Sequence, residues 1–188
     1  MRVHFTVLVD SPLRIGSGLP SASADDTVVR AADGRPILPA TTLKGAVRAA
    51  AASATPALAP GVLTRTFGRP DGAAAQAVFL DAAPRDGQQA VVDEVARVSL
   101  SSSRTARRGR LFNQEVVLPF AHTSEGLQQL VFEGAVHLLS PDDTEVLQAV
   151  VTGLARVEAL GAENSRGRGQ VRVAIDPRAA TPVLEGNA

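Results

Sequence analysis

The chain contains 188 residues, of which 45% are apolar and 20% charged, so it can bury one hydrophobic core but is short for two domains. Its 19 basic and 19 acidic residues cancel, which argues against a protein that finds a polyanion through bulk positive charge. The absence of cysteine excludes disulfides, thiolate zinc sites and a cysteine nucleophile. The basic residues comprise eighteen arginines and one lysine, Lys44.

The first half of the chain alternates between extended and helical patterns. Alternating apolar residues predict a strand over 3–9, and a long loop with a short extended piece follows over 13–39. Thr41 or Thr42 is expected to cap a helix over 43–53. A short apolar run predicts a strand over 77–81, and 82–94 is polar and turn-rich.

The second half repeats the order of strand, helix and strand. Residues 131–139 predict a strand, and Ser140 followed by Pro141 is expected to begin a helix whose apolar stripe runs from 147 to 157. Gly161 is expected to end that helix in a left-handed conformation. A last strand alternates over 171–175. The whole order predicts an α+β, ferredoxin-like (RRM-like) β-α-β-β-α-β fold with a large insertion between the middle strands.

An arginine-rich segment lies inside that insertion. No acidic residue occurs between Glu94 and Glu115, and serines fill the gaps. Guanidinium groups bind phosphate through paired hydrogen bonds, so the segment suits a nucleic-acid backbone. A solvated loop is the ordinary alternative, but a neutral protein that concentrates charge here favours nucleic-acid contact. The clustered residues are Arg97, Arg104, Arg107, Arg108 and Arg110.

Two further segments combine basic side chains with accessible backbone. Arg166, Gly167, Arg168 and Gly169 alternate charge and flexibility before the last strand, although an ordinary helix-to-strand turn has the same composition. At the first helix, Thr41 and Thr42 offer hydroxyls beside free N–H groups. Lys44 and Arg48, four residues apart, share a face just beyond them. A surface helix with solubilising charge is the alternative for this segment.

The adjacent acids Asp25 and Asp26 lie in a glycine- and serine-rich loop. They are either solvated turn residues or carboxylates that hold a divalent ion or position a ribose 2′-hydroxyl. The three histidines, His4, His122 and His137, show no metal-binding spacing. No apolar run approaches the ~20 residues of a membrane span, and no signal-peptide pattern is visible, so we expect a cytoplasmic protein with no membrane partner.

Five segments in order resemble the RAMP superfamily of CRISPR-associated proteins, above all the backbone subunit that polymerises along guide RNA in type III complexes. The resemblance extends over roughly residues 3 to 175. Two departures are Ala40, where the family has glycine, and Ser101-Ser102, where it has an Asp-Arg pair. The similar segments are 12–18 (P-L-R-I-G-S-G), 28–30 with 36–48 (V-V-R and P-I-L-P-A-T-T-L-K-G-A-V-R), 67–68 with 78–82 (F-G and V-F-L-D-A), 104–115, and the glycine-rich 160–169.

The resemblance implies a single domain over 1–188. A palm would comprise about 1–83 and 121–176, a thumb that interrupts the guide–target duplex about 84–120, and a tail 177–188. Guide phosphates would be held by Lys44 and Arg48 and by the 166–169 loop, with added electrostatic contacts from the thumb arginines. Asp25, with Asp26 a close rival, would support cleavage of target RNA with Mg²⁺ or another divalent cation, and Asp25 would be the metal ligand.

The resulting hypothesis is a guide-RNA-binding subunit in antiviral defence that also cleaves target RNA. Its partners would be guide RNA, target RNA, other effector subunits and copies of itself stacked head to tail. A structural subunit without cleavage, and so without a cofactor, is the first alternative. A guide-processing endoribonuclease and an interaction module that binds no nucleic acid are the others.

Overall fold

Two antiparallel sheets and three α-helices make up the part of the chain that the structure, a computed structural model, describes. That part comprises residues 1–69, 72, 74–100 and 106–176, with only the backbone described for 98–100 and 106–111. The predicted α+β class is confirmed, whereas the predicted tail, 177–188, lies outside the described residues. The elements are β1 (Arg2–Val9), α1 (Ala40–Ala52), α2 (Val62–Phe67), β2 (Ala77–Phe79), β3 (Ala83–Pro84), β4 (Gln89–Leu100), β5 (Ala106–Thr123), β6 (Gly126–Gln129), β7 (Val131–Leu138), α3 (Thr144–Ala155) and β8 (Val171–Ile175).

The larger sheet has the strand order β2-β7-β1-β8, and β3 also pairs with β7. Every pair is antiparallel; for example, Val7 of β1 faces Phe132 of β7 and Val173 of β8. Because successive side chains of a strand point to opposite faces, β1 places Val3, Phe5, Val7 and Val9 on one face, and all four are buried. The alternation that predicted this strand therefore marks the core side of the sheet.

Helices α1 and α3 supply the opposite wall of the core. Leu43 and Val47 of α1, and Val150 and Leu154 of α3, are almost fully buried in the same cluster as the β1 valines. The two helices contact each other closely where Gly153 of α3 approaches Val47. This packing fixes α1 with its remaining surface turned away from the core.

The predicted beginning of α1 is wrong. The helix begins at Ala40 rather than at 43, and neither Thr41 nor Thr42 caps it with a side chain. Its first N–H group, that of Ala40, instead donates to Asp81 Oδ1 at 2.7 Å. Asp81 follows β2 and reaches the helix because Leu38 and Ala82 exchange backbone hydrogen bonds. A capping acceptor from a distant segment therefore replaces the local hydroxyls.

Both predicted limits of α3 are also wrong. The helix begins at Thr144, capped by Asp143, whose carboxylate accepts the Val146 N–H at 3.1 Å, so Ser140 and Pro141 lie outside it. It ends at Ala155, well before Gly161. Gly161 does have a positive φ of 77°, but within the loop that leads to β8.

A second sheet, β4-β5-β6, occupies the insertion. Strands β4 and β5 form a long hairpin in which Glu94 faces Glu115 and Arg97 faces Phe112. The prediction of a turn-rich segment over 82–94 is wrong for its second half, because β4 begins at Gln89. It covers most of the predicted thumb, whereas β6 and the last residues of β5 lie beyond 120.

The long loop after β1 connects the two sheets. Leu13 and Val117 of β5 exchange hydrogen bonds of 2.8 Å in both directions, and Asp26 forms a parallel bridge with Gln114. The loop therefore lies along β5 instead of projecting into solvent. Among the described residues, no helix has the length and apolar character needed to cross a membrane.

Candidate functional site

The adjacent acids Asp25 and Asp26 have different environments. Arg14 NH2 donates to Asp26 Oδ2 at 2.7 Å, and the Gly18 N–H donates to Asp26 Oδ1 at 3.0 Å. The carboxylate also covers Gly16, where a side-chain Cβ would overlap it. With 17% of its side chain exposed and both oxygens bonded, Asp26 fixes the loop.

Asp25, in the same loop, is exposed. Its N–H donates to the Asn113 carbonyl at 2.9 Å, and the Asn113 N–H donates to Asp25 Oδ2 at 2.8 Å. Among the described residues, none donates a hydrogen bond to Asp25 Oδ1. No group of three His, Cys, Asp or Glu side chains that could hold a metal ion occurs in the described part of the chain.

A basic groove lies along one side of α1. Lys44 and Arg48 line it together with Arg69, which follows α2, and its volume is about 350 Å³. Arg48 NH1 donates to the Gly68 carbonyl at 3.3 Å, which holds this guanidinium at the wall of the groove. Thr41 lines the same groove.

A second groove, of about 370 Å³, lies on the other side of α1. Thr42 lines it, facing Gly161 and Asn164 of the glycine-rich loop, and Gly45 borders both grooves. Helix α1 therefore carries Lys44 and Arg48 on one side and faces the glycine-rich loop on another. These two segments are far apart in sequence and were predicted separately.

The glycine-rich loop (160–169) is fastened to the segment after β1. The Gly169 N–H donates to the Pro12 carbonyl, and the Ala162 N–H donates to the Arg14 carbonyl, both at 2.9 Å. Gly161 and Gly169 have positive φ, and a Cβ at either would overlap a backbone carbonyl oxygen. Gly167 also has positive φ but is exposed with open space beside it. Close packing thus explains Gly161 and Gly169, while Gly167 lies at the surface.

Four arginines surround one carboxylate in this loop, that of Glu163, whose side chain is only 9% exposed. Arg97 of β4 forms a two-pronged ion pair with it. Arg166 NH1 lies 3.5 Å and Arg14 NH1 3.7 Å from Glu163 Oε1, and Arg168 NH1 lies 3.6 Å from Oε2. We call these four arginines and Glu163 the arginine cluster.

The arginine cluster carries excess positive charge. Burial lowers the pKa of the Arg97 guanidinium, and repulsion from Arg168, Arg166 and Arg14 lowers it further. Arg166 is 68% exposed, whereas the other three side chains are 17–22% exposed. The cluster is therefore a mostly buried cationic group with one arginine at the surface.

The other arginines of the insertion lie elsewhere. Arg107, Arg108 and Arg110 are on β5, towards the end of the hairpin where Leu100 pairs with Ala106. Arg104 lies outside the described residues. Arg97, which the sequence grouped with them, contacts the glycine-rich loop through Glu163.

Sequence reasoning missed Arg14, Asp81, Glu115 and Glu163. Each lies inside a recognised motif and has at least one partner from another segment: for example, the Glu115 carboxylate accepts the Val28 N–H at 2.9 Å and lies 3.2 Å from Arg30 NH2. A polar residue at a fixed place in a motif was the available signal. Its partner could not be read from spacing.

No curated protein matches the sequence. Two similar solved structures are chains of the type III-B Cmr-beta, one in the apo state and one bound to cognate target RNA, both determined by cryo-EM. Each has a TM-score of 0.72 and 13% identity, with 95% of this chain and 98% of the other covered. At this identity the likeness concerns the fold. The RAMP superfamily model matches residues 6–172, and the chain therefore belongs to the RAMP superfamily.

Proposed function

We propose that this RAMP protein is a guide-RNA-binding subunit of a type III CRISPR effector complex. The observation that carries the proposal is the position of α1, with Lys44, Arg48 and Arg69 in a groove on one side and the glycine-rich loop on the other. A surface of this kind can follow a nucleic-acid backbone without reading bases. Similarity in fold to type III-B chains, one of them bound to target RNA, supports the same assignment.

The proposal includes a ferredoxin-like palm formed by the larger sheet with α1 and α3. The order β2-β7-β1-β8 supports it, because the four strands that alternate with the two helices form one antiparallel sheet. The β4–β5 hairpin would be the thumb. Its arginines on β5 would approach the guide–target duplex, with base pairing supplying sequence specificity and the protein supplying backbone contacts.

Binding is tested with a labelled single-stranded RNA and two variants, Lys44→Gln and Arg48→Gln. Each removes one cation from the basic groove beside α1, so each should weaken RNA binding. Each should also reduce the slope of the logarithm of the binding constant against the logarithm of the salt concentration by about 0.7 per lost phosphate contact. Arg85→Gln is the matched control, since Arg85 is exposed and paired with Glu133 on β7. RNA affinity that is negligible, or that does not change with salt, would refute RNA binding and favour an interaction module.

We further propose that Asp25 supports metal-dependent cleavage of bound target RNA. Asp25 is favoured over Asp26 because Asp26 has both oxygens occupied by Arg14 and Gly18, whereas Asp25 is exposed. Asp25 Oδ1 could serve as a ligand to Mg²⁺ or another divalent cation. A cation there would polarise a phosphate or activate a water for attack.

A structural subunit without cleavage is the second candidate. The hydrogen bond from the Asn113 N–H to Asp25 Oδ2 favours it, because this contact fastens the loop to β5 without any metal. The two candidates agree on RNA binding and differ only in the role of the Asp25 carboxylate.

Cleavage is tested in assembled complexes carrying Asp25→Asn or Asp26→Asn, with target RNA and Mg²⁺. We expect regularly spaced cuts to disappear with Asp25→Asn and to persist with Asp26→Asn if that complex assembles. Regular cuts in both variants would show that neither acid is catalytic. Electron microscopy of the same complexes tests the further proposal that copies of the subunit stack head to tail.

A further inference from the structure

The arginine cluster has more donors than its own carboxylates can satisfy. Four guanidinium groups face Glu163, and the only other carboxylate paired with any of them among the described residues is that of Asp26, on Arg14. Four positive charges therefore meet two negative ones. Two buried nitrogens, Arg14 Nε and Arg168 NH1, make no hydrogen bond within the described part of the chain. Buried donors without acceptors are costly, and they mark a site where a further anion would be stabilised.

Glu163 holds its central place in an unusual backbone conformation. Its φ is +73°, and among the described residues it is the only one other than glycine with positive φ. A side chain there is disfavoured, so the ion pairs must compensate for the strain. The residues that follow, Asn164 to Gly167, are exposed. The Glu163 carboxylate, itself only 9% exposed, therefore lies beside an exposed turn.

We propose that the arginine cluster is a binding site for a backbone phosphate of RNA, and that Glu163 is an internal anion which that phosphate displaces. The inference rests on the proposed RNA-binding function and deepens it by adding Arg14 and Arg97 to the ligand-binding residues. A phosphodiester carries one negative charge and two free oxygens, as a carboxylate does. The exchange therefore preserves the balance of charge within the cluster.

The position of the cluster favours a nucleic-acid strand over an isolated anion. Its exposed member, Arg166, belongs to the glycine-rich loop, which borders the second groove of α1 through Gly161 and Asn164. A strand that lies along α1 would pass this loop and present a phosphate to it. Arg97 comes from β4, so the phosphate would also be held by the insertion.

The test compares Glu163→Gln with Glu133→Gln, using salt titrations of a labelled single-stranded RNA bound to the full chain. Both variants remove one negative charge and one ion-paired glutamate, but Glu133 pairs with Arg85 away from the cluster. Removing the internal competitor should tighten RNA binding by about tenfold, the size of a charged hydrogen bond, whereas the control should leave it nearly unchanged. Arg97→Gln and Arg168→Gln should each weaken binding and lower the salt slope by about 0.7.

Weaker or unchanged RNA binding by a folded Glu163→Gln variant would overturn the inference, because Glu163 would then only hold the arginines together. Glu163→Gly, which accepts the positive φ without strain, is the second variant should the first fail to fold. Failure of both to fold would also overturn it, since a displaceable group cannot be indispensable to the fold. If the unaltered chain binds no RNA, the proposed function fails and this inference fails with it.

Discussion

Gly153 of α3 lies at the closest approach of the two core helices, and alanine at this position would disturb their packing. A Cβ at Gly153 would stand 2.5 Å from the Val47 carbonyl oxygen, 2.7 Å from Val47 Cγ1 and 3.2 Å from Ala51 Cβ. The nearest atom belongs to the backbone of α1, so it cannot rotate away. Relief requires α3 to shift relative to α1.

Two opposing effects set the magnitude. Replacing glycine by alanine inside a helix favours folding by about 1 kcal/mol, whereas overpacking a core costs about 1–3 kcal/mol. Because the obstacle is backbone, we expect the overlap to dominate and Gly153→Ala to lower the free energy of unfolding by about 1 kcal/mol. For a chain of this length, that corresponds to a fall in Tm of about 2–4 °C.

Gly45→Ala provides the matched control. Gly45 lies within α1, is exposed, and a Cβ there would meet nothing within 4 Å. The same chemical change should therefore raise stability by about 1 kcal/mol. Urea unfolding of both variants measures the difference as a shift of midpoint at constant slope. A stabilised Gly153→Ala, or two variants that shift in the same direction, would refute the argument from helix contact.

Three further outcomes follow from the capping and loop contacts. Asp81→Ala should lower the free energy of unfolding by about 1 kcal/mol through loss of the α1 cap, and Asp81→Asn should lose less, both measured by urea unfolding. The pKa of Asp143 is lowered, first by the hydrogen bond from the Val146 N–H and then by the Arg65 guanidinium. The ionised carboxylate therefore contributes its full stabilisation of the fold above the ordinary carboxyl pKa, and this stabilisation is lost as the pH falls below about 4. Asp143→Asn should therefore flatten the acid decline of the urea midpoint, and an unchanged decline would contradict this assignment. Asp26→Asn should destabilise the folded chain by about 1.5–3 kcal/mol, whereas Asp25→Asn, with an exposed carboxylate, should cost less.

The strands of the larger sheet could be predicted because one of their faces is buried. Alternation along β1 and β8 reports that burial directly, and the predicted 171–175 agrees with the observed strand. The β4–β5 hairpin could not be found in the same way. Over 89–97 both faces remain partly or fully exposed, so the sequence shows no apolar alternation to mark the strand.

The helix ends were harder to predict because their caps compete with more distant groups. Thr41 and Thr42 are good caps by type, but Asp81, a charged acceptor 2.7 Å from the Ala40 N–H, is the group that caps the helix. At α3 the competition is local, and Asp143 replaces Ser140 as the cap. Local propensity therefore located each helix, while a tertiary contact from Asp81 decided where α1 begins and the neighbouring Asp143 decided where α3 begins.

In the candidate site, the sequence predicted which segments are basic but not which residues come into contact. The sequence identified the glycine-rich loop and the pair Lys44 and Arg48 as separate segments, and the structure places the pair in one groove of α1 and Gly161 and Asn164 of the loop in the other. It could not predict that Arg97 would leave its arginine-rich neighbours to meet Glu163. Charge density along a chain indicates where cations are abundant, but pairing depends on which strands become adjacent.

The zero net charge is compatible with binding a polyanion because many acids are paired within the fold. Asp10 pairs with Arg172, Glu133 with Arg85 and Glu115 with Arg30, so these carboxylates repel an approaching phosphate less than a free acid would. Around the arginine cluster, by contrast, four arginines meet only two carboxylates among the described residues. At physiological salt a field from unpaired charges decays within about 8 Å, so an RNA strand responds to the local surplus and not to the total. The total charge therefore predicts little long-range attraction, while the placement of the arginines predicts tight contact once a strand has reached α1.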